Sequence, residues 1–279
     1  MTATISTITT PAAIGKPAVI CLHASGGSGA QWSALADLLR QDFRLLTPDL
    51  CSHGAAPEWP GPPEDIVAAD TARIARLAAK AGGEVHLVGH SYGGAIALRV
   101  ALLRPQIVAS IAVYEPVALR LLFDYNRRHR PAAEVAELAG AIRRELNGGR
   151  LERAAQRFVD YWSGAEQWTR LAPERREALA RRMPVIHAHF VSLFRDAVRL
   201  RGYATLELPV LYLSGRETRA SARRITELLA SVLPNAEFAT LSGMGHMGPV
   251  THATTVAQRI ARFVLRQAAR PALSARWAA

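Results

Sequence analysis

The sequence predicts an α/β fold, in which a mostly parallel β-sheet is flanked by helices and interrupted by an inserted helical cap. Short apolar runs alternate with segments of helical periodicity. The runs are continuously apolar, which is typical of strands in a parallel sheet that helices cover on both faces. In addition, one long internal stretch has helical periodicity and no convincing strand, which indicates the insertion.

The composition supports a single large domain or a domain with an insertion. A chain of 279 residues with 49% hydrophobic residues can bury a substantial core. No apolar run is long enough to span a membrane, and the first residues lack the features of a signal peptide. The two cysteines, Cys21 and Cys51, are too few for a disulfide framework, and the sequence has no cluster with metal-ligand spacing. We therefore expect a cytoplasmic protein with no membrane partner, metal or cofactor.

The net charge of +11 raises the question of a nucleic-acid partner. Residues 117–205 contain 17 arginines against 10 acidic residues. Most of these arginines alternate with glutamates, as in EVAELAGAIRRELNGGRLERAAQRFVDYW, which is typical of solvated helix faces with i,i+4 ion pairs. Because no basic motif with interleaved aromatic residues occurs, we expect no nucleic-acid partner.

The elements follow in chain order. Apolar runs predict strands at 17–23, 43–49, 85–90, 107–114, 210–215 and 237–243. Helical periodicity covers 31–42, 64–81 and 250–268, and also the long segment 117–205, with breaks at Pro131, 147–149, Pro173 and Pro184. We therefore assign 1–116 and 206–269 to the sheet domain, 117–205 to the helical cap and 270–279 to a C-terminal tail.

A Gly-x-Ser-x-Gly motif, formed by Gly89, Ser91 and Gly93, lies between a predicted strand and a predicted helix. A nucleophile in a strained strand-to-helix turn needs neighbours without side chains two positions away. The helix that follows directs its amide dipoles toward the serine oxygen. The bare motif also occurs in ordinary tight turns, but its context favours a nucleophilic Ser91.

A nucleophilic serine needs a base, and His246 is the best of the nine histidines. It lies in the glycine-rich loop LSGMGHMGP, between the last predicted strand and the last predicted helix. It alone combines such a loop with the chain order serine, acid, histidine. The competing histidines lie in a strand, in the cap or at a helix start, as do His86, His129, His187, His189 and His252.

The loop HASGGSGAQW follows the first predicted strand, and its amides can converge with the amide after the serine on one oxygen. We assign these oxyanion-hole donors to Ser25 and Tyr92. A nucleotide-binding loop is the alternative interpretation. However, the loop lacks Gly-Lys-Ser/Thr, and Trp32 occupies the position of the third glycine of a dinucleotide-binding motif.

Together, LHASGGSGAQW, PDLCSHGAAP, VGHSYGG and GMGHMGP resemble the α/β-hydrolase fold family over about residues 14–268, apart from the cap. The resemblance implies a mostly parallel sheet of about eight strands, whose first one or two are reduced or missing here, and a helical cap. It also implies Ser91 as nucleophile, His246 as base, and Ser25 and Tyr92 as oxyanion-hole residues. His23-Ala24 stands where many members have His-Gly.

The acid departs most from the family pattern, because Thr218 stands where members often have Asp. Glu115 follows the strand after the nucleophile helix, as in a family variant, although it could instead cap the first cap helix. Glu217 lies in the expected loop, but arginines flank it, and an exposed ion pair explains it equally well. We favour Glu115, with Asp49 as a weaker candidate.

These residues predict a serine hydrolase that acts on a small, partly apolar ester or related carbonyl compound through an acyl-enzyme on Ser91. Hydrolysis of a carbon–carbon bond, lactone or thioester stays open, as does ligand binding without turnover. We expect a small-molecule substrate, for which the arginines would favour a negative charge, and leave a homodimer open. The cap offers aromatic residues for the chamber wall, namely Phe123, Tyr125, Trp162, Trp168, Phe190 and Phe194.

Overall fold

A six-stranded sheet forms the centre of the structure, a computed structural model that describes residues 15–125 and 129–269. The tail predicted at 270–279 lies outside these residues. The strands are β1 (Ala18–Leu22), β2 (Arg44–Leu46), β3 (Val85–His90), β4 (Val108–Tyr114), β5 (Val210–Gly215) and β6 (Ala236–Leu241). Their order in the sheet is β2-β1-β3-β4-β5-β6, and each neighbouring pair is parallel. The predicted α/β fold with a mostly parallel sheet is therefore confirmed.

Helices connect the strands along the chain. They are α1 (Ser33–Leu39), α2 (Ile66–Ala81), α3 (Tyr92–Leu103), α4 (Leu121–Tyr125), α5 (Arg130–Asn147), α6 (Leu151–Ser163), α7 (Pro173–Phe194), α8 (Leu200–Tyr203), α9 (Ala220–Ala230), α10 (Gly248–Thr251) and α11 (Ala253–Ala268). Among the described helices, none has the length and apolar composition needed to cross a membrane.

Helices bury both faces of the sheet. Along β1, Ala18, Ile20 and Leu22 belong to the larger apolar core, whereas Val19 and Cys21 belong to the smaller one on the opposite face. The larger core takes side chains from α2, α3 and the helices between β4 and β5, and the smaller core takes side chains from α1 and α11. Cover on both faces explains why β1, β3, β4 and β5 are buried almost throughout, whereas the edge strand β6 is largely exposed.

The segment between β4 and β5 contains α4 to α8 and, in its described residues, no strand. Three of the four predicted breaks coincide with helix ends. The break predicted at Pro184 is wrong, because this proline lies inside α7. A proline removes one helical hydrogen bond, but its neighbours Met183 and Ile186 are fully buried. Tertiary packing of this face therefore stabilises the helix through the proline.

Candidate active site

Ser91 lies in the sharp turn between β3 and α3. Its backbone has φ 54° and ψ −115°, a conformation that is strained for a residue with a side chain. The flanking glycines are required sterically. A Cβ atom on Gly93 would lie 2.3 Å from the carbonyl oxygen of Leu22, and one on Gly89 would lie 2.5 Å from the carbonyl oxygen of Gly93. Only glycine therefore fits at both positions, and the turn holds Ser91 at the carboxyl end of β3.

Ser91, His246 and Glu115 form a continuous chain of hydrogen bonds. Oγ of Ser91 lies 2.9 Å from Nε2 of His246, and Nδ1 of His246 lies 2.7 Å from Oε2 of Glu115. A carboxylate only accepts hydrogen bonds, so Nδ1 carries the imidazole proton and Nε2 accepts the hydroxyl proton of Ser91. The parallel sheet brings the three side chains together. Ser91 follows β3, Glu115 follows β4 and His246 follows β6, and the carboxyl ends of these strands lie at one edge of the sheet.

Two donors hold the carboxylate of Glu115, one from the last residue of β5 and one from the loop that follows it. Oε1 accepts a hydrogen bond of 2.8 Å from the amide of Gly215, and Oε2 accepts one of 2.7 Å from Oγ1 of Thr218. Glu115 is 1% exposed and has a φ of 42°, in the left-handed region. Thr218 occupies the position at which family members often have Asp. This loop therefore contributes a hydroxyl donor to the site instead of a carboxylate.

The two alternative acids have other partners. Glu217 is exposed, and its Oε1 accepts a hydrogen bond from the amide of Gly243. Asp49 accepts two backbone amides from the loops around it. Among the hydrogen bonds of the described residues, Glu115 is the one of these three acids that contacts His246.

Three rings hold the loop that carries His246. Oη of Tyr114 donates a hydrogen bond of 2.8 Å to the carbonyl oxygen of Gly245, and Nε2 of His90 donates one of 2.8 Å to the carbonyl oxygen of His246. The ring of Trp162, on α6, lies 4.1 Å from the imidazole of His246 between centroids. Burial lowers the pKa of His90 well below its ordinary value, so this ring is neutral with its proton on Nε2. Sequence reasoning missed His90, although it belongs to the motif GHSYGG.

The amides of Ser25 and Tyr92 are available as donors. Tyr92 is the first residue of α3, where the amide has no partner inside the helix. In the described part of the chain, neither amide donates to a backbone oxygen. A hydrogen bond stabilises the loop of Ser25, because the amide of Gly26 donates to Nε2 of His53 at 2.9 Å. Both amides can therefore donate to a substrate oxygen near Ser91.

Buried histidines surround this loop. Burial lowers the pKa of His23 to about 4 and that of His53 to about 3, and it lowers the pKa of His189 well below its ordinary value. Nδ1 of His189, on α7, lies 2.7 Å from Oγ of Ser25, and its ring stacks on Tyr92 at 3.7 Å between centroids. No group of His, Cys, Asp or Glu side chains in the described residues is arranged to hold a metal ion. Sequence reasoning missed the role of His189 at the site, because no motif links positions 164 residues apart.

Two cavities adjoin Ser91. The larger, of 330 Å³, is lined by Ser91 and His246 and also by the exposed Arg170 and Arg175. The smaller, of 20 Å³, is lined by Ser91 and His189 but not by His246. Trp162 and Phe158 border both cavities, and Ser25 lines both as well. Sequence reasoning missed Phe158, although it precedes Trp162 by four residues and therefore shares its helix face.

The aromatic residues of the cap divide between the site and other packing. Trp162 borders both cavities beside Ser91, whereas Phe190 borders only the smaller one and also lines a groove apart from the site. Phe123 and Phe194 line the same groove and pack edge to face, with ring centroids 5.1 Å apart. Trp168 is buried in the larger core. The remaining candidate is Tyr125, whose side chain lies outside the described residues.

Comparison with known proteins adds to this geometry. A family model described as alpha/beta hydrolase fold matches residues 17–253. Lipase LipV of Mycobacterium tuberculosis is 36% identical over 102 residues, and this match covers 37% of the chain and only 38% of LipV. The pimeloyl-acyl-carrier-protein methyl ester esterase of Xanthomonas campestris pv. campestris is 27% identical over 253 residues, which cover 89% of the chain and 95% of the esterase. The solved structure of MenH from S. aureus has a TM-score of 0.73 at 15% identity and covers 94% of this chain and 98% of MenH.

Proposed function

The chain belongs to the alpha/beta hydrolase fold family, and we propose that it is a hydrolase that cleaves carboxylic esters through an acyl-enzyme on Ser91. The observation that carries the proposal is the chain of hydrogen bonds from Ser91 through His246 to Glu115. A serine hydroxyl is a weak nucleophile unless a base accepts its proton. The imidazole at 2.9 Å supplies that base.

The reaction proceeds in two halves. In the first, Oγ of Ser91 attacks the ester carbonyl carbon while its proton passes to Nε2 of His246. The amides of Ser25 and Tyr92 stabilise the oxyanion, the carbon–oxygen ester bond breaks, and the proton of His246 passes to the leaving alcohol. In the second half, His246 takes a proton from water, whose oxygen attacks the acyl carbon. The acid leaves, and the hydroxyl of Ser91 is restored.

Glu115 orients the imidazole and stabilises its charged form in this scheme. The carboxylate lies 2.7 Å from Nδ1 of His246 and is itself held by Gly215 and Thr218. Such a buried carboxylate keeps the proton on Nδ1 and so leaves Nε2 free to act as the base. The proposed triad is therefore Ser91, His246 and Glu115.

The two cavities beside Ser91 distinguish the two halves of the substrate. His246 delivers a proton to the leaving alcohol, so the alcohol must lie on the side of this imidazole. His246 lines the larger cavity and not the smaller one. We therefore assign the cavity of 330 Å³ to the alcohol and the cavity of 20 Å³ to the acyl group. The preferred substrate has a short acyl group and a larger alcohol.

The larger cavity favours an alcohol that carries a negative charge. Arg170 and Arg175 line it, and in the described residues neither guanidinium forms an ion pair with an acidic side chain. Nη2 of Arg175 donates one hydrogen bond, to the carbonyl oxygen of Gly26, and the other donors of this fork can bind a ligand. A carboxylate or phosphate on the alcohol would complement these two cations.

A substrate panel tests the proposal. The purified protein and its Ser91→Ala variant are assayed against acetate esters with neutral and anionic alcohols, a lactone, a thioester and a vinylogous diketone. We expect the esters to be cleaved fastest, with a preference for the anionic alcohol, and Ser91→Ala to lower the rate by about three powers of ten or more. Faster cleavage of the thioester or the diketone, or unchanged activity of Ser91→Ala, would contradict the proposal.

The helices between β4 and β5 act as a cap in this proposal, because α6 and α7 contribute Phe158, Trp162 and His189 to the cavities beside Ser91.

We also propose a cytoplasmic location. Cys21 and Cys51 are both buried free thiols, and reduced cysteines are typical of that compartment.

A further inference from the structure

His189 lines the small cavity beside Ser91, and one of its buried ring nitrogens has no partner among the described residues. The side chain is 1% exposed, and its Nδ1 is engaged with Oγ of Ser25. The imidazole ring of His189 stacks on the ring of Tyr92. In the described part of the chain, Nε2 has no hydrogen-bond partner. A buried polar atom of this kind costs stability unless a ligand or water satisfies it.

The unpartnered nitrogen belongs to a residue that lines the small cavity beside Ser91. Apart from Ser25, Ser91 and His189, this cavity of 20 Å³ is bordered by aliphatic and aromatic side chains, namely Val117, Leu119, Phe158, Trp162, Phe190 and Leu193. On this measure about 10–15 Å³ is enough for one water-sized group. The cavity therefore has room for a short substituent on the carbonyl carbon, and His189 is the polar residue of this lining other than Ser25, Ser91 and the indole of Trp162.

The chemistry of the ring selects the substituent. The low pKa of His189 makes the ring neutral, so Nε2 is either a donor or a bare acceptor, according to which atom carries the proton in the contact with Ser25. A hydroxyl group matches both states because it donates and accepts. An alkyl group of the same size leaves Nε2 unpaired, and a charged ammonium group is costly to bury among apolar walls.

We propose that the acyl half of the substrate is a short 2-hydroxyacyl group whose hydroxyl binds Nε2 of His189. This inference rests on the proposed function, because it takes the small cavity as the acyl site. It specifies the substrate class as an ester of a hydroxyacid of about two carbons. His189 is then a residue that determines specificity, since it touches the acyl group rather than the reacting carbonyl.

Glycolyl and propionyl esters of one alcohol test the proposal directly, because they differ only by a hydroxyl in place of a methyl group. Values of kcat/KM are measured for both, and each is divided by the rate of alkaline hydrolysis of the same ester to remove its intrinsic reactivity. We expect the corrected ratio of glycolyl to propionyl to be about tenfold or more in the wild-type protein. A corrected ratio near one would mean that the cavity holds only water beside Nε2, and it would overturn the inference.

Variants of His189 test whether this side chain produces the corrected glycolyl-to-propionyl ratio. We expect the corrected ratio to fall toward one in His189→Phe and to be partly kept in His189→Gln, whose amide can replace Nε2. His187→Phe is the matched control, because His187 lies on the same helix but lines a different groove, and it should keep the wild-type ratio. An unchanged ratio in His189→Phe would overturn the role of His189. If a variant does not fold, the wild-type ratio still decides.

The same assay separates the two proposals. Cleavage of both esters with a corrected ratio near one would overturn the 2-hydroxyacyl inference and leave the esterase proposal intact. Cleavage of neither ester, nor of the acetate ester used as reference, would overturn both.

Discussion

Glu115 is the residue at which this site differs most from the usual pattern of the family. The loop after β5 carries Thr218 at the position of the familiar Asp, and its hydroxyl donates to Glu115. The carboxylate thus comes from the end of β4, while the end of β5 and the loop after it supply one hydrogen-bond donor each. In the proposed triad, the carboxylate that contacts the imidazole of His246 therefore comes from a neighbouring strand.

The acid is tested by removing the charge of each glutamate in turn. We expect Glu115→Gln to lower kcat/KM by about two to four powers of ten, because an amide does not stabilise the imidazolium and favours the wrong tautomer. Glu217→Gln is the matched control, and we expect at most about a threefold change, since its side-chain oxygen can still accept the amide of Gly243. A larger loss in Glu217→Gln than in Glu115→Gln would contradict the proposed triad.

At the residue scale, the sequence carries local signals well and distant contacts poorly. Ser91 and His246 lie in short motifs whose spacing has a steric or conformational cause, so the sequence alone singles them out. The choice between Glu115 and Glu217 depended on which side chain reaches His246, which is a three-dimensional question. His189 had no signal at all, because its partners Ser25 and Tyr92 lie on other elements of the fold.

At the scale of elements, the strand-to-helix turn from β3 to α3 is the most constrained feature. We expect Gly93→Ala to destabilise the protein by about 2 kcal/mol or more, because the added Cβ would meet the backbone of Leu22 at 2.3 Å. Gly140→Ala is the control, since Gly140 lies inside α5 and its added Cβ meets only a flexible arginine end at 3.5 Å. We expect that variant to be more stable by about 0.5–1 kcal/mol. Chemical unfolding measures both, and an unchanged stability of Gly93→Ala would contradict this account.

The helices and strands themselves were largely predictable, with errors that have physical causes. The predicted runs located all six strands of the described sheet, including β6, which is not continuously apolar. Of the span predicted at 43–49, only Arg44–Leu46 forms β2. At Pro184 the surrounding structure preserves a helix where the local sequence predicts its end. Local chemistry predicts a break there, whereas packing of Met183 and Ile186 keeps α7 continuous.

At the scale of the whole molecule, several buried histidines link stability to pH. Burial lowers the pKa of His23 and His86 to about 4 and that of His53 to about 3. Above the ordinary value of 6.5 both the folded and the unfolded chain hold these rings neutral. Below that value the unfolded chain binds protons that the folded chain does not, so stability falls as the pH drops from 6.5 toward 4.

We therefore expect the free energy of unfolding to fall between pH 6.5 and pH 4, by about 1.4 kcal/mol per pH unit for each such histidine once the unfolded chain is protonated. Denaturant unfolding at a series of pH values measures this slope. His86→Asn removes one of the titrating rings, so the slope of the unfolding free energy against pH should fall by the contribution of about one proton. A free energy of unfolding that is constant across this range would contradict the neutral state of the buried rings.

Covalent labelling with a fluorophosphonate, followed by mass spectrometry of the labelled peptide, tests most directly whether Ser91 is an activated nucleophile. A serine activated by His246 attacks phosphorus and retains the label, whereas an ordinary serine does not react. We expect one label, on Ser91, with labelling lost in Ser91→Ala and strongly slowed in His246→Ala. A wild-type protein that stays unlabelled, or that carries its label on another residue, would contradict the claim that Ser91 is an activated nucleophile.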